Sequence, residues 1–79
     1  MTLNEAIAIR INELLKEKSM TQYQLFLNSG VPPQSISDIR HQKNKTNAVN
    51  IIYNIARGFN MPLNKFFDGP LFTLENITD

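Results

Sequence analysis

The residues best equipped for chemistry lie between Pro33 and Lys45. In the octet Pro33-Gln34-Ser35-Ile36-Ser37-Asp38-Ile39-Arg40 the two isoleucines stand three apart. On a helix that spacing turns them to one face and leaves Gln34, Ser35, Ser37 and Asp38, with Pro33 beside them, for the other. Amides and hydroxyls suit the reading of hydrogen-bond patterns better than the moving of protons. The Gln34 amide sets a donor and an acceptor side by side, matching adenine N7 and N6 in a DNA major groove; such a pair discriminates by about 1–3 kcal/mol. Ser35 and Ser37 are less selective, because a hydroxyl serves several bases or a phosphate. Asp38 can accept from a cytosine amino group but repels phosphate. Arg40, His41, Lys43, Asn44 and Lys45 follow at once, and cations there would release counterions from a nucleic-acid backbone. As plain structure, Arg40 and His41 suit a helix C-terminus and the lysines are solvated loop charges.

No enzyme is expected. The chain has one histidine, His41, and no cysteine, so no zinc site, catalytic triad or disulfide framework can be assembled. Its seven acids are spread out, without an HExxH sequence or a glycine-rich phosphate loop. Glu13 and Glu17, one turn apart beside Lys16 and Lys18, read as a solvated face. Metal and cofactor are accordingly expected to be none. The net charge of +1 is uninformative, but from Lys18 to Lys45 four bases face the single acid Asp38, whereas the segment from Phe66 onward holds Asp68, Glu75 and Asp79 and no base. That polarity suits a phosphate-facing surface far from an acidic tail. The start MTLNEAIAIRINELL carries Glu5, Arg10 and Glu13, which excludes a signal peptide or membrane span and makes the cytoplasm the expected location.

The elements that must hold these residues are helical. Thr2-x-x-Glu5 is a capping box, followed by Leu3, Ile7, Ile11, Leu14 and Leu15 at helical spacing, predicting a helix from about Leu3 to Lys18. Thr21-x-x-Gln24 opens a second helix that ends near Ser29, where Gly30 can take a left-handed conformation. Pro32 and Pro33 open a third, running to about His41. The polar run HQKNKTN is a loop. Thr46 or Asn47 is the expected cap of a fourth helix, with Val49, Ile52, Ile55, Ala56 and Phe59 inward and Gly58 weakening its last turn by roughly 1 kcal/mol. Asn60 terminates it, and Met61-Pro62 begins a short fifth helix through Phe67. Asp68-Gly69-Pro70 is a break. The expectation is an all-α chain of five helices, with one domain over 1–68 and a partly apolar tail over 69–79 that either covers the core or forms a dimer contact.

The order Arg10-Ile11, Leu14, Met20-Thr21-Gln22, Leu25, Ser29-Gly30-Val31, Ile36-Ser37, Ile39, Lys43, then Ile55-Ala56, Phe59, Met61, Leu63 and Phe66-Phe67 resembles the lambda-repressor-like, Cro-type helix-turn-helix family, also called the XRE family, of bacterial and phage regulators. The likeness covers about Ala6 to Asp68. It implies a compact five-helix DNA-binding domain with the helix-turn-helix at helices 2 and 3. It further implies base contacts from Pro33, Gln34, Ser35, Ser37 and Asp38, and phosphate contacts from Arg10, Thr21, Gln22, Arg40, His41, Lys43, Asn44 and Lys45. Two positions depart from the family pattern. Phe26 stands where alanine is favoured, so the ring must splay helices 2 and 3 or slide into a gap. Pro32 replaces the usual serine or threonine cap, normally worth about 1 kcal/mol.

The function so implied is a sequence-specific transcriptional regulator, a repressor, reading double-stranded DNA at a two-fold operator as a homodimer. With no appended ligand domain, no small-molecule effector is expected, and no membrane partner. The rival expectation is a helix-turn-helix module that binds protein, such as an antitoxin or the partner of an anti-repressor; the low net charge, Asp38 and the acidic apolar tail point that way.

Overall fold

Two reciprocal caps start the first two helices. In the computed structural model, which describes residues 1–79, α1 spans Leu3–Glu17 and α2 spans Gln22–Ser29. The Glu5 N–H donates to Thr2 Oγ1 at 3.1 Å while the Thr2 N–H donates to Glu5 Oε1 at 3.0 Å. The backbone N–H of Thr2 first, and its side chain second, hold the Glu5 carboxyl below its ordinary pKa. Thr21 and Gln24 repeat the pattern at 3.1 and 2.8 Å. Gly30 then closes α2 with φ of 77°, and its N–H donates to the Phe26 carbonyl. A left-handed residue of this kind satisfies carbonyls that the helix leaves over. The next helix, α3, spans Pro33–Arg40 and starts on two prolines with no side-chain cap.

Beyond α3 come α4 (Val49–Gly58), α5 (Leu63–Phe66) and a 3-10 turn at Pro70–Phe72, with no strand anywhere. The fold is all-helical. Its Cα radius of gyration is 11.7 Å, against about 11.6 Å expected for a compact chain of this length. No helix is long and apolar enough to cross a membrane. Ile11 and Leu14 from α1, Leu25 from α2, Ile36 from α3, Ile55 from α4, with Phe59 and Phe66, are the largest fully buried side chains and form the centre of the core. α1 packs on α3, and α2 packs on α4.

Several expectations change. Gly58 is buried where α2 and α4 touch: a Cβ there would stand 2.7 Å from Ser29 Cβ and 2.9 Å from Leu25 Cδ1, so the glycine is the condition for that packing and not merely a weak helix turn. The cap of α4 is Ala48, without a side-chain bond, rather than Thr46 or Asn47. Val49, expected inward, is 73% exposed; as the first residue of α4 it overhangs the end of the core. α5 is shorter than foreseen, because Pro62 caps it and the Met61 N–H turns back to the Ala56 carbonyl at 3.0 Å. Phe26 is half-buried at the rim of the core, with its ring 5.8 Å from that of Tyr23. It therefore slides aside.

The tail folds back on the chain. Phe72 meets Phe67 edge-on at 4.9 Å and lies 6.4 Å from Phe66, and the 3-10 turn contacts α1. The Thr78 N–H donates to the Met1 carbonyl at 2.8 Å, and the Leu3 N–H donates to Asp79 Oδ1 at 2.8 Å. Leu74 alone is left almost wholly in solvent, 97% exposed.

Candidate nucleic-acid interface

Ile36 and Ile39 anchor α3 in the core. Because they lie on one side of an eight-residue helix, Gln34 is thrown fully outward while Ser35, Ser37 and Asp38 sit half-buried at the flanks. Pro33 is exposed beside them. Two side-chain bonds run along this face, each spanning one turn. Gln34 Nε2 donates to Asp38 Oδ1 at 2.8 Å. His41 Nδ1 lies 2.8 Å from the Ser37 carbonyl and 3.3 Å from Ser37 Oγ. A carbonyl only accepts, so Nδ1 carries the ring proton in this arrangement.

Polar struts fix the attitude of α3. Arg40 Nε donates to Asn12 Oδ1 on α1 at 2.7 Å, and its Nη1 donates to Gln22 Oε1 on α2 at 2.8 Å. Gln22 Nε2 in turn donates to the Pro33 carbonyl at 3.2 Å. Arg40 and Gln22 thus have structural partners, although a guanidinium with five N–H donors keeps some of them for another acceptor. Thr21, also assigned to phosphate, engages its hydroxyl in the α2 cap and remains exposed.

The loop after α3 is held from an unforeseen direction. Gln42 takes a left-handed turn, φ 56°, and the Lys43 N–H donates to the Asp38 carbonyl at 2.9 Å. Asn4, in the first turn of α1, then donates through Nδ2 to the carbonyls of Asn44 (3.2 Å) and Lys45 (2.9 Å). Its Oδ1 accepts from Asn47 Nδ2 at 2.9 Å, and Asn47 Oδ1 accepts from Asn44 Nδ2 at 3.4 Å. Three asparagine amides thereby pin the loop, leaving Lys43 and Lys45 exposed. The sequence carries no sign of Asn4 in this role and offers Asn47 only as a helix cap; the density of asparagine in the loop is the one local signal, and the partners lie 40 or more residues apart.

Two placements differ from expectation. Arg10 is not brought to this surface: its Nε donates to the Phe66 carbonyl at 2.7 Å and its Nη2 to the Lys65 carbonyl at 2.9 Å. It closes the last turn of α5, about 200° around α1 from Asn12. Nor is the acidic tail wholly remote, since Asp79 and Lys45 line one groove together with Asn4 and Asn47.

The cations Arg40, Lys43 and Lys45, with the His41 ring, therefore border the outward face of α3, with Asp38 as the one acid on that helix. Such a surface can accept and donate hydrogen bonds to flat polar edges and attract anions around them. Comparison with family models, with curated proteins and with solved structures finds no match for this chain.

Proposed function

We propose that this protein is a sequence-specific DNA-binding regulator, a repressor of the lambda-repressor-like helix-turn-helix kind, in which α2 and α3 form the motif and α3 reads the major groove. The observation that carries the reading is the outward face of α3, an exposed Gln34 amide flanked by the half-buried Ser35 and Ser37, with a pinned, lysine-bearing loop following it in the chain. A helix with its side chains is about 10–12 Å across, and the major groove, about 12 Å wide, admits it. Gln34 is the principal base reader; Lys43 and Lys45, with the spare N–H groups of Arg40, take phosphates. One α3 touches few base pairs, so useful specificity calls for two copies on half-sites about 34 Å apart.

The test is binding to a mixed-sequence duplex at low and at raised salt, followed by selection of bound sites from a random pool. A regulator binds weakly to the mixed sequence, loses that affinity as salt rises, and enriches a two-fold site. A second reading, a module that binds protein, is favoured by Leu74, an apolar side chain 97% exposed next to Glu75 on a turn that the Thr73 carbonyl closes. Failure to bind any duplex at low salt would transfer the conclusion to that reading.

A further inference from the structure

Asn4, in the first turn of α1, commits its whole amide to the loop that follows α3. Its Nδ2 donates to the Asn44 carbonyl at 3.2 Å and to the Lys45 carbonyl at 2.9 Å, while its Oδ1 accepts from Asn47 Nδ2 at 2.9 Å. Two consecutive loop carbonyls are thereby drawn to one side, onto α1. No peptide bond in the chain is cis, and a planar trans peptide points its N–H away from its own carbonyl. The N–H groups that share those two peptides belong to Lys45 and Thr46, and they therefore point away from α1. Neither donates to another group of the protein, and both residues are exposed.

We infer that Asn4 is a positioning residue for backbone phosphate: it turns the Lys45 and Thr46 N–H groups outward as a pair of neutral donors that accompany the Lys45 ammonium. The inference rests on the DNA-binding reading given above. Successive backbone N–H groups turned to one side suit an anion. A lysine on its flexible stem attracts a phosphate as a point charge, whereas two aligned N–H donors fix where the phosphate oxygens sit. The loop follows α3 directly, so a phosphate held there helps set the register of that helix on the duplex. Without Asn4 both peptides are free to rotate, and ordering them on binding costs affinity. Asp79 lines one groove with Lys45 and Thr46 but is held to α1 by the Leu3 N–H at 2.8 Å. It is unaltered in the variants below and cancels from their comparison.

The full chain tests this on a mixed-sequence duplex over a series of salt concentrations. Asn4→Ala binds roughly three- to tenfold more weakly than the wild type at each concentration. The slope of its log affinity against log salt is unchanged, because the donors lost are uncharged and displace no counterion. Lys45→Ala, in contrast, lowers that slope by about one unit. Asn47→Ala, which removes the donor to Asn4 Oδ1, gives a smaller loss at the same slope, and it carries the test if circular dichroism finds Asn4→Ala unfolded. Nuclear magnetic resonance reads the donors themselves. In the wild type the Lys45 and Thr46 amide protons move downfield when the duplex is added, and in Asn4→Ala that movement shrinks. Duplex binding by the wild type with those protons unmoved overturns the inference alone, as does wild-type affinity in a folded Asn4→Ala, or weaker binding with a changed slope. No binding to any duplex by the wild type removes the DNA reading and this inference together.

Discussion

Two seams hold this molecule, and they are built from opposite materials. Where α2 meets α4 the contact is one of shape: Leu25 and Ser29 lie against a bare Gly58, close enough that one added carbon would overlap them. Where α3 and its following loop meet α1, directional hydrogen bonds flank the buried Ile36 and Ile39, running from Arg40 to Asn12 of α1 and Gln22 of α2 at one end and among Asn4, Asn47 and Asn44 at the other. Close packing of apolar groups accounts for most folding free energy, whereas an exposed hydrogen bond contributes about 1 kcal/mol net. The shape seam therefore keeps the chain folded, and the polar seam fixes where the outward groups of α3 and the loop stand.

Substitutions can separate the two roles. Phe59→Ala, which empties a fully buried position at the end of α4, should cost about 3–5 kcal/mol by chemical denaturation, enough to leave a chain this small largely unfolded at 25 °C. Gly58→Ala should cost about 1–3 kcal/mol through overpacking, opposing the gain of about 1 kcal/mol that alanine brings to a helix; a more stable variant would mean that α2 and α4 do not meet as described. Asn4→Ala should lower stability by only about 1 kcal/mol and yet speed hydrogen exchange at the backbone amides of residues 43 to 47. Equal protection in both proteins would show that the asparagine ties do not restrain the loop. Lys45→Ala should leave the unfolding midpoint unchanged and, if the loop grips phosphate, reduce the slope of log affinity against log salt by about one unit.

The sequence made legible whatever is decided within a few residues. Both capping boxes, the left-handed Gly30 and the left-handed Asn60 (φ 59°) were readable because each depends on its own neighbours. The inward sets Ile11-Leu14 and Ile52-Ile55-Ala56 followed from helical period alone. Long-range partners were not legible. Asn47 had the chemistry of a helix cap, but its amide is engaged by Asn4, 43 positions away, so α4 starts later. Arg10 had the chemistry of a phosphate ligand, but the carbonyls ending α5 come within reach only after the chain has folded. Gly58 showed its cost in a helix and not its use, because the use depends on how near another helix comes. At the candidate site, the types and order of residues 33–45 were plain; the pairing of Gln34 with Asp38 required the helix to be seen as a surface.

The smallest side chain in the shape seam governs the farthest-reaching geometry. With only a hydrogen at Gly58 facing Ser29, α2 has no room to roll toward α4 and no cushion on which to roll away. α3 follows α2 through the single left-handed hinge at Gly30 and is tied back to it by Gln22. The attitude of α3 thus leans on a buried position that carries no side chain at all.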